Sequence, residues 1–280
     1  MAEERQGHVL AVNPVRQSFH DKVRARPADV ALRGHRGWDL GFEALERGVV
    51  LAGGSGSRLH PLTKTTNKHL LPVGHQPMVY YPVQRLVEAG IADILVVTGV
   101  HHFGALVAQL GSGADFGCRF TYKVQDRAGG IAEALGLAED FAQGGPVAVV
   151  LGDNVFDAPL RPHLDAWIAS GRGAMILLAR VDDPSRFGVP RFVGDELVEV
   201  LEKPERPPSP FAVTGVYAYD AQVYDIIRTL RPSARGELEI SEVNTRYVQR
   251  GQMYWAELGG RWTDAGTLDS YARAQVLSRG

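Results

Sequence analysis

The sequence has little cysteine, no long apolar run and no excess of charge of either sign. Its single thiol, Cys118, cannot form an internal disulfide or build a cysteine cluster for a structural metal. This favours a reducing, cytoplasmic location and a packed or incidental role for Cys118. Because 30 basic residues are balanced by 32 acidic ones, we predict no broad basic surface that would bind nucleic acid.

No segment approaches the roughly 20 apolar residues of a membrane helix, and the first residues lack the apolar core of a secretory signal. We therefore expect neither membrane insertion nor export. A chain of 280 residues with 45% hydrophobic residues can build one globular domain with elaborations. Residues 1–47 are polar and rich in Arg and His, so we expect an N-terminal extension, partly disordered or surface-packed, before a domain at 48–280.

From residue 48, short β-branched runs alternate with segments of helical period, which predicts an α/β fold with a mostly parallel sheet between helices. Strands are predicted at residues 48–52, 94–98, 120–124, 147–151 and 174–179, and helices at 78–89, 102–110 and 131–141. Shorter strands at 197–202 and 213–219 surround a proline-rich turn. They predict a small β-rich elaboration joined to the same sheet.

A glycine-rich loop follows the first predicted strand and consists of Gly53, Gly54, Ser55, Gly56, Ser57 and Arg58. Such glycines let backbone N–H groups approach a phosphate at the carboxyl edge of a sheet. The loop fits neither the P-loop spacing nor the dinucleotide fingerprint, because Leu59 stands where the third glycine would be. That disfavours a nicotinamide oxidoreductase and leaves a phosphate site or an ordinary tight turn.

Two cations give the loop a more specific setting. Arg58 ends it, and Lys68 follows ten residues later, directly before an apolar run. The segment resembles the signature of the sugar-1-phosphate nucleotidylyltransferases, close to the glucose-1-phosphate thymidylyltransferases: GGxGTR, a spacer, then K(Q/H)LLPV. Similarity to this family covers most of residues 48–278 and recurs in several separated motifs.

The resemblance implies a Rossmann-like α/β fold, a nucleoside triphosphate under the glycine loop, and Mg²⁺ as cofactor. It implies nucleotide contacts from Leu51, Gly53, Gly54, Gly56 and Ser57. Gln125 and Gly130 resemble the segment that binds the base, and an amide suits the imide edge of thymine or uracil. The thymidylyltransferases carry Asp and Gln where this chain has Gly129 and Glu133, so the base stays open.

Two carboxylates are candidate metal ligands. Asp153 follows a very apolar strand, at the edge where α/β sheets bind ligands, although Gly-Asp-Asn is also turn chemistry. Asp264 resembles the second metal carboxylate of the family. Mg²⁺ typically takes one or two carboxylates plus phosphate oxygens, so these two suffice.

The sugar-phosphate site is also implied by resemblance. Lys203 would bind the sugar phosphate and Glu202 a sugar hydroxyl. Gly188 and Val213 would form walls of the sugar pocket, and Arg235 matches an arginine that helps to hold the phosphate.

The implied reaction is a direct displacement, with the ionised sugar phosphate as nucleophile and no general base. Arg58 would stabilise the leaving pyrophosphate, Lys68 would contact the reacting phosphates, and Lys203 would orient the sugar phosphate. We expect dTTP and glucose 1-phosphate as substrates. Another nucleoside triphosphate, a cyclitol or modified-sugar phosphate, and a catalytically silent regulatory homologue are the alternatives, the last disfavoured because the charged groups are present.

Other features predict less specific roles. Tyr80 and Tyr81 are expected in the core, and His101 and His102 on the surface. The family implies a homo-oligomer. The sequence stops soon after a helix that begins near residue 268, so we expect weak or absent end-product inhibition through a secondary site.

Overall fold

A computed structural model of the chain describes residues 45–54 and 56–279. The β-strands, in chain order, are β1 (Arg47–Ala52), β2 (Pro72–Val73), β3 (Gln76–Pro77), β4 (Asp93–Gly99), β5 (Arg119–Gln125), β6 (Val147–Leu151), β7 (Asn154–Phe156), β8 (Ala174–Arg180), β9 (Gly188–Val193), β10 (Glu196–Glu202), β11 (Phe211–Tyr219), β12 (Met253–Glu257) and β13 (Trp262–Asp264). The α-helices are α1 (Tyr80–Glu88), α2 (Phe103–Leu110), α3 (Ile131–Gly136), α4 (Glu139–Ala142), α5 (Arg161–Ser170), α6 (Gln222–Thr229), α7 (Ile240–Gln249) and α8 (Leu268–Leu277).

One seven-stranded sheet forms the centre of the fold, in the order β12-β8-β11-β6-β1-β4-β5. Its strands are parallel except β11, which runs antiparallel to both neighbours, β6 and β8. Three antiparallel pairs, β9 with β10, β7 with β13 and β2 with β3, lie outside it. The mostly parallel mixed sheet and the small β-rich elaboration predicted from the sequence are therefore confirmed.

The strand β1 shows why the apolar segments of this chain form the strands of a central sheet. Val49 and Leu51 pack into the core on one face, while Val50 and Ala52 pack into the core on the other. A strand covered on both faces needs a continuous apolar run rather than alternation. The runs in β4, β6 and β8 have the same character, which is why their positions could be predicted.

Helices cover both faces of the sheet. On one face α1, α2 and α5 contribute buried Leu86, Leu106 and Trp167. On the other, α3, α6 and α7 contribute side chains such as Ile227 and Tyr247. A third, smaller cluster packs α8 against the segment that follows the glycine loop. The predicted α/β layering is thus confirmed, while α5, α6, α7 and β12 were not predicted.

The predicted helix over residues 131–141 is wrong as a single element. It is divided into α3 and α4 by a turn at residues 137–138. The N–H of Ala138 bonds the carbonyl of Leu135 at 2.9 Å, so the helix tightens into a 3₁₀ turn and stops. Gly136, a poor helix former, stands at that point.

The smaller predictions are confirmed for Tyr80, Cys118 and His101, whereas Tyr81 and His102 are only partly buried. Tyr80 is buried and meets Phe116 edge to face, with ring centroids 4.7 Å apart. Cys118 is buried, and His101 is exposed. Within residues 45–54 and 56–279, no group of three His, Cys, Asp or Glu could hold a metal, and no helix is long and apolar enough to cross a membrane.

The predicted N-terminal extension can be compared with the fold only at its end. Residues 1–44 lie outside the described residues, so the extension stays a prediction. Arg47, which the sequence assigned to the extension, already pairs with Asp93 in the sheet.

Candidate active site

The candidate site lies at the point in the sheet where the chain stops adding strands to one side of β1 and begins adding them to the other. The chain builds β4 and β5 on one side of β1 and then returns to place β6 on the other side. The carboxyl ends of β1 and β6 are therefore adjacent, and the N–H of Gly152 bonds the carbonyl of Leu51 at 2.8 Å. In open α/β sheets such a switch point is where ligands bind.

A cleft of about 560 Å³ opens at this switch point, a size that suits a small-molecule ligand. The residues proposed from the sequence that line it are Leu51, Gly53, Gly54, Arg58, Lys68, Gln125, Gly130, Asp153, Gly188, Glu202, Lys203, Val213, Arg235 and Asp264. Gly56 and Ser57 are not among the lining residues. The fold thus brings to one cleft residues that are up to 213 positions apart in the chain, from Leu51 to Asp264.

The glycine loop has a shape that requires glycine at two of its positions. Gly54 and Gly56 have φ angles of 95° and 64°, in the left-handed region that disfavours other residues. A Cβ on Gly56 would lie 3.2 Å from the Cβ of Lys68. The hydroxyl of Thr63 donates to the carbonyl of Gly56 at 2.7 Å. A side chain at position 56 would therefore crowd Lys68 and Thr63. Ser57 begins the short 3₁₀ helix that carries Arg58.

Lys68 and Asp153 form the central ion pair of the cleft. Lys68 Nζ lies 2.5 Å from Asp153 Oδ2, and each side chain is only 13% exposed. Burial alone would raise the pKa of Asp153, but the charge of Lys68, with hydrogen bonds from Lys68 and Asn154, holds that pKa well below its usual value. Asp153 is therefore ionised and fixed in position.

Asp264 faces the same space, but its pKa is shifted in the opposite direction. Burial and the nearby charge of Asp153 raise its pKa to about 6, against the cations Arg186, Arg58 and Lys68. A Cβ on Gly266 would lie 2.9 Å from Asp264 Oδ2 and 3.7 Å from Asp153 Oδ2. Two carboxylates thus share one small space, with Arg186 Nη2 3.4 Å from Asp264.

Asn154, next to Asp153, connects β7 to β11 and to β13, the strand that carries Asp264. Its Oδ1 accepts from the N–H of Gly215 at 2.9 Å and from Trp262 Nε1 at 2.7 Å. Because the oxygen is used by two donors, its amide group must donate, and it does so to Asp153 Oδ1 at 3.0 Å. Asn154 also pairs with Asp264 between β7 and β13.

The far side of the cleft is crowded with side-chain charges. Arg235 Nη2 lies 2.8 Å from Glu239, 3.0 Å from Glu237 and 3.2 Å from Glu202. Burial opposes its charge, but these carboxylates raise the pKa of Arg235. Lys203 Nζ lies 3.0 Å from the same Glu202. Both predicted phosphate-binding cations are therefore already paired.

The remaining wall is apolar and closely packed. A Cβ on Gly188 would lie 3.4 Å from Val200 and 3.7 Å from Val213.

Lys203 follows β10 with a φ of 42°, and its N–H bonds the carbonyl of Phe187 at 2.9 Å. This bond ties the two ends of the β9–β10 hairpin together and directs Lys203 to the cleft.

The loop that follows β5 is joined by its main chain to the loop of Arg235. The N–H of Leu238 bonds the carbonyl of Gly129 at 2.8 Å, and the carbonyl of Leu238 accepts from Ala132 at 3.2 Å. A Cβ on Gly130 would lie 2.4 Å from that same carbonyl oxygen. Gly130 is thus required by this close approach.

Sequence analysis missed several cleft residues. His69 is fully buried beside Lys68, and burial followed by the Lys68 charge lowers its pKa to about 3, so it is neutral. Arg186 and Trp262 were also missed, as was the role of Asn154. Position in the sequence could have indicated two of these residues. Asn154 adjoins Asp153, and Arg186 directly precedes the turn at Phe187 and Gly188.

The sequence and the structure of this chain are similar to those of known proteins. A family model described as nucleotidyl transferase matches residues 47–279. A protein from Actinoplanes sp. named glucose-1-phosphate thymidylyltransferase is 46% identical over 232 residues, which are 81% of this chain and 76% of that protein.

Solved structures of similar proteins have the same fold as this chain. A Bacillus anthracis protein described as a glucose-1-phosphate thymidylyltransferase, crystallised with sucrose, superposes with a TM-score of 0.80 at 52% identity, covering 83% of this chain and 95% of that one. A UDP-glucose pyrophosphorylase with UDP-glucose bound has a TM-score of 0.75 at 24% identity, covering 84% of this chain and 98% of that one. At that identity the second likeness shows the shared fold.

Proposed function

Because the chain belongs to the nucleotidyl transferase family and is an enzyme of the nucleotidyltransferase class, we propose that it transfers a thymidylyl group from dTTP to glucose 1-phosphate. Pyrophosphate leaves and dTDP-glucose forms. The observation that carries this proposal is the cleft at the switch point, where two carboxylates face one space and cations stand on both sides of it. Such an arrangement suits two phosphorylated substrates that meet at a metal.

The two carboxylates fit a magnesium ion. They offer oxygen donors, which Mg²⁺ prefers, and they face one space. Burial and the charge of Asp153 raise the pKa of Asp264, and a divalent cation between the two carboxylates would relieve their repulsion. Asp153 and Asp264 would hold the ion, which when bound neutralises charge on the triphosphate and on the departing pyrophosphate.

The protein's own side chains then supply position and charge. The glycine loop offers backbone N–H groups to the triphosphate, and the exposed Arg58 stabilises the leaving pyrophosphate. Lys68 approaches the reacting phosphate while it keeps Asp153 ionised. Lys203 and Arg235 orient the sugar phosphate, whose ionised oxygen needs no general base.

The direct test is pyrophosphate release by the purified protein with Mg²⁺ and glucose 1-phosphate, with dTTP, UTP, CTP, ATP and GTP assayed separately. We expect dTTP to turn over fastest. Lys203→Ala should lower kcat/KM by about 100-fold, mostly through the KM for glucose 1-phosphate, because Lys203 orients the sugar phosphate and one preorganised charge contributes about 2–4 kcal/mol. Lys123→Ala, which removes a lysine paired with Asp140 on the outside of β5, is the matched control and should leave turnover unchanged.

Absence of turnover with every nucleotide would contradict the proposal. The same assay with cyclitol or modified-sugar phosphates then separates a different acceptor from a silent binding protein.

We also propose a homo-oligomer. Trp255, 37% exposed, lies on β12 at the edge of the seven-stranded sheet and packs on Phe192, beside Val193, which is 61% exposed. Exposed apolar side chains at a sheet edge favour association. Light scattering on the eluting protein tests this, and a monomeric mass contradicts it. The cytoplasmic location stays a prediction.

A further inference from the structure

Gln125, at the end of β5, has its side-chain amide held by two acceptors. The residue is 8% exposed. Its Nε2 donates to the carbonyl of Gly130 at 3.2 Å and to Glu133 Oε1 at 3.1 Å. Gln125 and Gly130 line the cleft on the side where the base of a nucleotide under the glycine loop would lie.

These partners fix which way the amide points. If the amide were rotated by 180°, its oxygen would face a carbonyl and a carboxylate, and neither can donate. The NH₂ group must therefore face Gly130 and Glu133, and Oε1 faces the glycine loop. A Cβ placed on Gly53 would lie 3.2 Å from that oxygen. Gln125 thus offers the cleft a hydrogen-bond acceptor.

Glu133 is itself held in place by its neighbours. Arg127 Nη2 lies 3.3 Å from Glu133 Oε2, which leaves Oε1 for Gln125. A Cβ on Gly129 would lie 2.1 Å from the Glu133 carboxylate. The carboxylate therefore occupies the space of a side chain at position 129, and glycine at that position is a condition for the contact with Gln125.

We propose that Glu133 is a positioning residue that determines base selection by locking the Gln125 amide with its oxygen toward the base. This inference rests on the proposed function, because it requires a nucleotide in this cleft. An acceptor at this point bonds the imide N–H of thymine or uracil. The ring nitrogen of cytosine is itself an acceptor, so cytosine is disfavoured.

The chemistry at position 133 determines how strongly the Gln125 amide is held in this orientation. A carboxylate only accepts, whereas a glutamine amide can accept or donate. In Glu133→Gln, the inverted Gln125 amide can accept from the new side-chain amide, so only the Gly130 carbonyl still opposes inversion. The inverted amide can donate to cytosine. Gly129→Ala tests the same contact by a second route, because the new methyl group displaces the Glu133 carboxylate and leaves its charge unchanged.

The experiment measures equilibrium binding of dTTP, dUTP and dCTP by calorimetry, with Mg²⁺ and without sugar phosphate. The wild-type protein should bind dTTP and dUTP more tightly than dCTP. In Glu133→Gln the preference for dTTP over dCTP should fall about tenfold, the order expected for a hydrogen bond to a charged group. Gly129→Ala should do the same, and the ratio of dTTP to dUTP should stay constant in both.

The matched control is Glu139→Gln, the same chemical change at a carboxylate that pairs with Arg228 on the outer surface. It should leave all three affinities unchanged. A general loosening of the pocket would weaken all three nucleotides equally and would overturn the proposal. So would an unchanged ratio in Glu133→Gln, or a wild-type protein that binds dCTP as well as dTTP. If binding follows the prediction but no pyrophosphate is released with glucose 1-phosphate, the proposed reaction fails and the role of Glu133 stands.

Discussion

The two walls of the cleft handle charge differently. The nucleotide wall, formed by the glycine loop, Lys68 and Asp153, has one buried ion pair beside backbone N–H groups. The sugar wall, formed by Lys203, Arg235 and their carboxylates, has cations that share several partners. A ligand at the first wall meets a fixed site, whereas a phosphate at the second must compete with carboxylates. Substitutions at the nucleotide wall should therefore change kcat, and those at the sugar wall should change KM.

The largest effect is expected from Lys68→Ala. It removes a charge at the reacting phosphates and leaves Asp153 without its closest cation. We expect kcat/KM to fall about 100- to 1000-fold in the pyrophosphate assay, mostly through kcat. Lys64→Ala, an exposed lysine of the same segment, should behave as wild type. A loss confined to KM would remove the distinction between the two walls.

A smaller effect is expected from Asn154→Asp. The substituted oxygen can still accept from Gly215 and Trp262, but the group that donated to Asp153 becomes an acceptor. Two carboxylates would then face each other, and we expect kcat/KM to fall about 10- to 100-fold. Asn154→Ala, which removes the repulsion but also the bonds to Gly215 and Trp262, should lower the thermal midpoint more and kcat less. If kcat instead falls most in the variant with the lowest thermal midpoint, Asn154 only supports the fold.

Arg235→Gln tests the sugar wall. Because Glu239, Glu237 and Glu202 already share this cation, its loss should raise the KM for glucose 1-phosphate by only about tenfold. The KM for dTTP should stay the same, as should both constants in the exposed control Arg231→Gln. Initial rates with each substrate varied in turn provide the check. A rise in both KM values would mean that the walls act as one.

The smallest effect is expected far from both walls, at Cys118. Burial raises the pKa of its thiol to about 12, so the thiolate is scarce at pH 8. Iodoacetamide should react with the folded protein far more slowly than with the chain in urea, as mass spectrometry would measure. Cys118→Ala should leave turnover unchanged and lower the free energy of unfolding by about 1 kcal/mol. Rapid loss of activity with the reagent would contradict this assignment.

Sequence alone predicted much of the sheet, because strands buried on both faces are continuous apolar runs. It also placed Asp153 at the end of such a run, next to the glycine loop. It missed α5, α6 and α7, whose apolar residues are spread over a helical period among polar ones. The break between α3 and α4 has one local signal, Gly136, but an isolated glycine inside a helical pattern does not by itself predict that the helix stops there.

Sequence alone predicted some residues of the site and missed the contacts of others, because those contacts join distant parts of the chain. Resemblance to a family identified Arg58, Lys203 and Asp264 by their motifs, and their roles stay proposals. It could not show that Arg235 is shared among three carboxylates, since Glu202 lies 33 positions away. The oxygen of Asn154 has partners 61 and 108 positions away. Such roles are properties of the folded chain and have no sequence pattern of their own.

The position of β11 has a consequence for how this chain can be made and divided. β8 pairs only with β11 and β12 in the central sheet, and both follow it in the sequence. Until residue 219 has been synthesised, β6 therefore lacks one neighbour and β8 lacks both, while β1, β4, β5 and β6 can already pair. A late strand thus joins the early half of the sheet to the late half. A cut between β8 and β11 separates β8 from both of its partners in the sheet, and a ribosome-bound chain keeps an open sheet edge at β6 until β11 arrives.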